Sequence, residues 1–518
     1  MASPVLYPIG IENFKDLRTG GYLYVDKTEF IHRLVTQGKY YLLCRPRRFG
    51  KSLFLSTMEA FFRGEKELFE GLAITRYDHD WKACPVFHLN FVGLDTSSTE
   101  GLESLLSAHF EEWESLYGKT TPGLMYPQRF YQLIQNAYRQ TGMKVVVLVD
   151  EYDKPLLSNL GDEGVCESFR NILKPFYGIL KRADAYIRFA CLTGVTRFSR
   201  LSIFSDMNNL DDISVAEDYS TVCGITEDEI KLYCREGVQR LSERMGRSEQ
   251  ETMDILKRNY DGYHFSAGCP DLYNPYSLLN ALRHKEIGEY WYGTGTPTFL
   301  VRALRNSDAY IPEILHDEAD STELARIDSY RDSAIGILFQ TGYLTIKGYN
   351  PQRETYNLGL PNREVASGFF KDLLPQYMDI GLSRGLKEIR SFVDCVERGD
   401  PQAFLERLRA FLAGIPYDLT MCKPEIYFEN NLFIIFKLMG FQVHSEFKTS
   451  AGRIDLLLTT DKYIYVMELK LDGSPESALL QIDKKEYCLP FTTDRRKIFK
   501  IGISFSKQTR NISSWLIK

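Results

Sequence analysis

The sequence predicts an α/β protein. An N-terminal parallel sheet carries helices on both faces, a mainly helical middle region ends in a winged-helix-like hairpin, and a smaller α/β domain closes the chain. Three observations predict this. Four apolar runs, YYLLC (40–44), VFHLNF (86–91), KVVVLVD (144–150) and IRFACLTG (187–194), are separated by helical stretches long enough for crossover connections. From about residue 225 the pattern turns mainly helical until a hairpin, GYLTIK to TYNLGL, runs into PNREV, where Asn362 is placed to cap the next helix. Near the C-terminus, IDLLL and YIYVMELK are strand-like and apolar on both faces.

With 518 residues, 44% hydrophobic and 25% charged, the chain has ordinary globular composition and a length for three domains. We expect them at 1–224, 225–415 and 416–518, the last boundary at Gly-Ile-Pro (414–416). Net charge is -6, yet residues 421–518 hold 15 Lys and Arg against 11 Asp and Glu; this tail is +4 and the remainder -10. An anionic partner is therefore expected at the basic end. Ten cysteines include no C-x-x-C pair, which speaks against a zinc ribbon or a disulfide framework. The start MASPVLYPIG does not read as a signal peptide, and no run of about 18 apolar residues occurs, so a soluble cytoplasmic protein with no membrane association is expected.

The stretch LLCRPRRFGKSLFL (42–55) places Gly50-Lys51-Ser52 between an apolar strand and a helical pattern. At such a junction, backbone N–H groups and a helix N-terminus surround phosphates, lysine adds a mobile charge, and a hydroxyl joins a magnesium shell. Arg45 stands where the loop normally begins with glycine; Arg45, with Arg47 and Arg48, is expected to add charge there. About 100 residues on, Asp150 and Glu151 end the run KVVVLVD-E: Asp150 reaches magnesium, while Glu151 polarises the water that attacks the γ-phosphate. Thr193, at the end of the next strand, is read as a γ-phosphate sensor and Arg197 as a charge-stabilising group. A helix cap and a solvated strand end explain either motif alone; their order on successive strands argues for a nucleotide site. The expected ATP-binding set is Arg47, Arg48, Phe49, Gly50, Lys51, Ser52, Asp150, Thr193 and Arg197, with Ser52 and Asp150 toward Mg2+.

In AGRIDLLLTTDKYIYVMELKLDG, a turn at Asp461-Lys462 pairs residues whose numbers sum to 923, which sets Asp455 opposite Glu468 on one face. Lys470, two residues on, shares that face. Two carboxylates suit Mg2+ or Mn2+, and the lysine can orient water. On the following helix Gln481 and Lys484 share a face at i,i+3, and Glu429 is a further candidate oxygen ligand. A surface salt-bridge cluster is the competing reading; the apolar surroundings favour a metal site.

The chain resembles a bacterial family that joins an AAA-ATPase-like domain to a C-terminal PD-(D/E)XK nuclease domain. The resemblance rests on YPIGIENFKDL, YVDKT, RPRRFGKSL, VLVDEYDKP, LTGVTRFS, IFSDMNNLDDIS, YDGYHF, LYNPYSLLN, LGLPNREV, GRIDLLL, ELK and QIDKKEY. It implies a P-loop sheet with an additional strand and a catalytic glutamate, Glu151, and a restriction-endonuclease-like C-terminal domain. It also implies that Asp455, with Glu468 and Lys470 as the E-x-K pair, forms the cutting site, and that Gln481 and Tyr487 are a trailing Q-and-Y motif. Ile454 stands where the proline of the proline-aspartate signature is usual.

These readings combine into an ATP-dependent or ATP-regulated nuclease, DNA favoured over RNA, with ATP and Mg2+ as cofactors. A homo-oligomer is expected, because no arginine finger is evident in cis. The alternatives are a regulatory NTPase switch that binds nucleic acid without cutting it, and an interaction scaffold with two vestigial sites. No helicase motif set is present.

Overall fold

The structure is a computed structural model and describes residues 5–77, 79–160, 162–197, 203–204, 207–294, 300–301, 304, 309–315, 317–325, 334–415, 424–440, 442–449 and 452–518. The backbone packs into two compact units, one of residues 1–295 with 317–365 and the other of 296–316 with 366–518.

In the first unit, five strands form an all-parallel sheet: β1 (Tyr40–Cys44), β2 (Val86–Asn90), β3 (Val145–Asp150), β4 (Ile187–Gly194) and the short β5 (Asp211–Asp212). Their order is β2-β3-β4-β1-β5, so β4 lies between the strand that precedes Gly50 and the strand that ends in Asp150. This is the additional strand. β1 and β3 are buried at every position, because helices cover both faces, and both accordingly read as unbroken apolar runs. Helix Lys51–Phe62 presses Phe54, Leu55, Met58, Phe61 and Phe62 into the core. Elsewhere in the core, Phe87 stacks on Trp113 with ring centroids 4.4 Å apart. Cys44 is level with Gly194, and Asn90 with Asp150, so the loops leaving the C-terminal strand ends gather along one edge. In open α/β sheets that edge is where ligands bind.

The same unit contains the helices Glu227–Tyr233 and Glu249–Tyr260, each begun by a capping box, Thr226 with Glu229 and Ser248 with Glu251. Helix Ile335–Thr341 precedes the expected hairpin, β7 (Thr345–Asn350) with β8 (Thr355–Gly359), to which β6 (Glu318–Ala319) adds a third antiparallel strand. Asn362 caps the helix Arg363–Met378 by accepting from the N–H of Val365 at 3.1 Å.

The second unit has a five-stranded mixed sheet, β9 (Gln442–Thr449), β10 (Gly452–Thr459), β11 (Tyr463–Leu471), β12 (Lys497–Ser506) and β13 (Asn511–Ile517), in the order β13-β12-β11-β10-β9. β11 and β12 run parallel, and the helix Pro475–Lys484 makes the crossover that a parallel pair needs. Leu457, Ile464, Val466, Leu479, Ile482 and Tyr487 form a core between helix and sheet. Among the described residues no helix is long and apolar enough to cross a membrane.

Candidate functional sites on the two sheets

At the C-terminal edge of the parallel sheet lies a cavity of about 310 Å3, lined by both Gly50-Lys51-Ser52 and Asp150-Glu151 together with Arg47, Arg48 and Asp153. Gly50 has φ +93°, a left-handed conformation glycine adopts without strain, and it starts the helix whose first residue is Lys51. The Lys51 ammonium donates to the carbonyls of Arg45 (2.9 Å) and Pro46 (3.1 Å), which hold it across the loop.

Arg45 corrects the expectation that it adds charge to this loop. Its guanidinium is buried and turned away, donating to the carbonyls of Cys44, Ser214, Tyr219 and Ser220 and lying 4.2 Å from the centroid of the Phe265 ring. Burial lowers its pKa from the ordinary arginine value. Arg45 thus serves as an internal brace where the usual loop has a flexible glycine. Phe49 is likewise turned from the cavity: its ring packs edge-on against Tyr263 (4.8 Å) and Phe265 (5.4 Å), and its carbonyl accepts from the N–H of Gly224 at 3.2 Å. Only its backbone belongs to the loop. Trp291 Nε1 donates to the carbonyl of Arg47 at 3.3 Å, which ties a third residue of the helical region to the same loop.

Asp150 is buried, and its Oδ1 accepts from the Thr193 hydroxyl (2.7 Å) and from the N–H of Glu151 (3.0 Å). Thr193 is fully buried and does not line the cavity, so it orients the carboxylate instead of facing a phosphate. Arg197 is spent elsewhere too: its Nε pairs with Asp212 at 2.7 Å and its N–H donates to Gln340. Glu151 has φ +54°, an uncommon value outside glycine, and its carboxylate pairs with Lys154 at 3.1 Å.

Sequence reasoning passed over Asp153. This buried cavity residue accepts from the N–H groups of Val195 (3.0 Å) and Thr196 (2.6 Å) and from the Thr196 hydroxyl. Burial raises its pKa, opposed by those bonds and by the charge of Lys51. The repeat of acids in DEYDKP was its only signal. Glu12 also lines the cavity, from the segment YPIGIENFKDL, which marked the family resemblance without pointing to a site role. Beside the loop lies a second, apolar cavity of about 90 Å3, which Phe49 does line, together with Pro8, Tyr24, Val25, Phe54 and Ile225.

In the second unit the pairing whose numbers sum to 923 is observed: Leu456 opposes Met467 and Leu457 opposes Val466. The turn is secured by Thr460, whose Oγ1 accepts from the N–H of Tyr463 at 2.9 Å. By this register Asp455 and Glu468 share a face, and Asp455 Oδ2 accepts from the N–H of Leu469 at 2.8 Å. Glu468 is fully buried; burial, then the nearby Asp455 charge, pushes its pKa up to about 7. Lys470 Nζ lies 3.3 Å from Glu468 Oε1 and 2.7 Å from Gln481 Oε1, so three of the expected residues form one linked set. Glu468 Oε2 is buried without a hydrogen-bond partner, an arrangement that suits a cation. Lys484 and Glu429 are exposed, whereas Tyr487 belongs to the core beneath the sheet. Among the described residues no group of three or more His, Cys, Asp or Glu is placed to hold a metal, so the acidic set here is a pair.

The first unit has the fold and loop of a P-loop ATPase, and the second carries a nuclease-type acid pair and lysine on a mixed sheet. Family models agree: that of a predicted AAA-ATPase matches residues 8–204, and that of the PD-(D/E)XK nuclease superfamily matches 423–515. The chain is 34% identical over 525 residues to the "Uncharacterized protein in vnfD 5'region" of Azotobacter chroococcum mcd 1, covering 99% of this chain and 98% of that one. This chain belongs to the family that unites these two domains. It is also similar to the Aeropyrum pernix ORC2 protein, solved as ADPNP-ADP complexes, at 13% identity over 65% of this chain and 87% of the other; the TM-score of 0.25 carries no structural argument.

Proposed function

We propose that this protein is an ATP-dependent or ATP-regulated metal-ion nuclease acting on DNA, in which ATP hydrolysis in the N-terminal domain controls the C-terminal nuclease. The functional segments are those at 1–224, 225–415 and 416–518. The observation that carries this reading is the linked set on β10, β11 and the crossover helix: Lys470 bonded to both Glu468 and Gln481, with Asp455 on the same face and one Glu468 oxygen unpartnered. Asp455 and Glu468 would hold Mg2+ or Mn2+. When bound, such an ion stabilises negative charge on the phosphate under attack and lowers the pKa of water. Lys470 orients the attacking water, and Gln481 fixes the lysine.

In the N-terminal cavity, the backbone around Gly50 and the Lys51 ammonium receive the β- and γ-phosphates of ATP, and Ser52 and Asp150 would hold Mg2+. Glu151 is the base that orients water, and Arg47 and Arg48 add positive charge. Thr193 positions Asp150, and Arg197 braces the segment after β4 through Asp212. The neighbouring apolar cavity takes the base. A second copy of the chain supplies an arginine finger in trans, and the protein works in the cytoplasm. The +4 C-terminal tail favours a polyanionic substrate.

The test is cleavage of labelled single- and double-stranded DNA and RNA by the full chain, with and without ATP and with Mg2+ or Mn2+. ATP-responsive cutting of DNA is expected. Nucleic-acid binding and ATP turnover without cutting of any substrate would make the protein a regulatory NTPase switch.

A further inference from the structure

Lys154 is the basic residue lining the ATP cavity that the proposed mechanism leaves without a task. It lines the cavity together with Lys51, Ser52, Asp150 and Glu151. Its ammonium lies 3.1 Å from Glu151 Oε2, and its N–H donates to the Glu151 carbonyl at 3.0 Å. The two residues are thus joined through a tight turn. Pro155 follows immediately at the start of the helix Lys154–Leu157, and the left-handed φ of Glu151 sets the direction of the chain. Fixed at the backbone, the lysine keeps a side chain that can move.

The pair is a weak one. Both side chains are about a third exposed, at 29% and 32%, and solvent screening leaves an ion pair in such a place little strength. The terminal phosphate of ATP carries more charge than one carboxylate and would enter the same cavity. A lysine between a single carboxylate and a γ-phosphate goes to the phosphate.

We propose that Lys154 senses the γ-phosphate: its ammonium leaves Glu151 for the terminal phosphate of bound ATP, so that the same event which recognises a triphosphate frees the Glu151 carboxylate for water. This rests on the ATP-hydrolysing reading of the cavity and adds to it a side chain that distinguishes ATP from ADP. ADP has no γ-phosphate to draw the lysine, so the pair with Glu151 persists and the base stays engaged.

The test is calorimetric titration of the full chain with a non-hydrolysable ATP analogue plus Mg2+, and separately with ADP plus Mg2+. Lys154→Ala should weaken the analogue about tenfold and ADP by less than about twofold, and Lys154→Arg should retain the preference. Glu151→Gln removes the competing charge and should tighten the analogue relative to ADP. The double variant should show no such tightening, a non-additivity that a merely structural lysine would not produce. Equal weakening of both nucleotides by Lys154→Ala, an unchanged ratio, or a Glu151→Gln gain that survives in the double variant would each overturn the inference. If the wild-type chain binds neither nucleotide, the ATPase reading falls and takes this inference with it. If it binds both and only the variants behave otherwise than expected, the sensing role alone is lost.

Discussion

The Thr193 hydroxyl donates to Asp150 Oδ1 across 2.7 Å, so the strand placed between β1 and β3 holds the carboxylate that β3 presents. Thr193→Val keeps the shape and deletes the donor. It should destabilise the protein by about 1–3 kcal/mol in denaturant unfolding and weaken Mg-ATP binding, while Thr193→Ser preserves both. A Val variant that binds Mg-ATP like wild type would show that the bond does not orient Asp150 for the cofactor.

Arg45→Gly restores the residue type usual at the start of a phosphate loop, yet it should do harm. The guanidinium satisfies four buried carbonyls and packs on Phe265, and its removal should cost on the order of 3 kcal/mol. Denaturant midpoints should fall with no gain in ATP affinity. A variant as stable as wild type would mean that the neighbouring chain closes over the gap.

Gln481→Ala removes the oxygen that holds Lys470 at 2.7 Å. Cleavage should fall about 10–100-fold, as when a residue supporting a metal site is lost, and ATP turnover without DNA should be unchanged. Asp455→Asn and Glu468→Gln should abolish cleavage and likewise spare basal ATP turnover. Equal loss of both activities would point to a folding defect, which a melting curve identifies.

Glu364 in the first unit is buried and accepts from the N–H of Trp291 at 2.6 Å. Burial, opposed by this and other bonds, pushes its pKa up from 4.5 to about 7. The fold therefore favours the protonated form. The associated stability is fully present below about pH 4.5 and is lost as pH rises through 7, a change of order 3 kcal/mol. Glu364→Gln keeps the acceptor and removes the titration, so the difference in unfolding free energy between variant and wild type should grow across pH 5–7. A flat difference would show that Glu364 is ionised throughout.

The two halves of the candidate chemistry were legible because short-range rules govern them. A strand, a five-residue loop, then Gly-Lys-Ser opening a helix set the phosphate site, and a two-residue turn at Asp461-Lys462 sets the register that brings Asp455 and Glu468 to one face. Alternation of period two then carries Lys470 to the same side, where the crossover helix adds Gln481, eleven residues on. What the sequence left open were directions decided by distant parts of the chain. Arg45 and Phe49 carry the same letters whether they face a phosphate or the core; contacts with residues 214–220 and 263–265 turn both away from the cavity. Thr193 and Arg197 sit at a strand end that suits phosphate sensing, but Asp150, Asp212 and Gln340 claim them. Asp153 enters the site because Thr196, on another strand's trailing loop, folds onto it. A sequence specifies which groups can bond and their local spacing. Which partner each long polar side chain takes is settled only when packing removes water and leaves every buried donor to find an acceptor within reach.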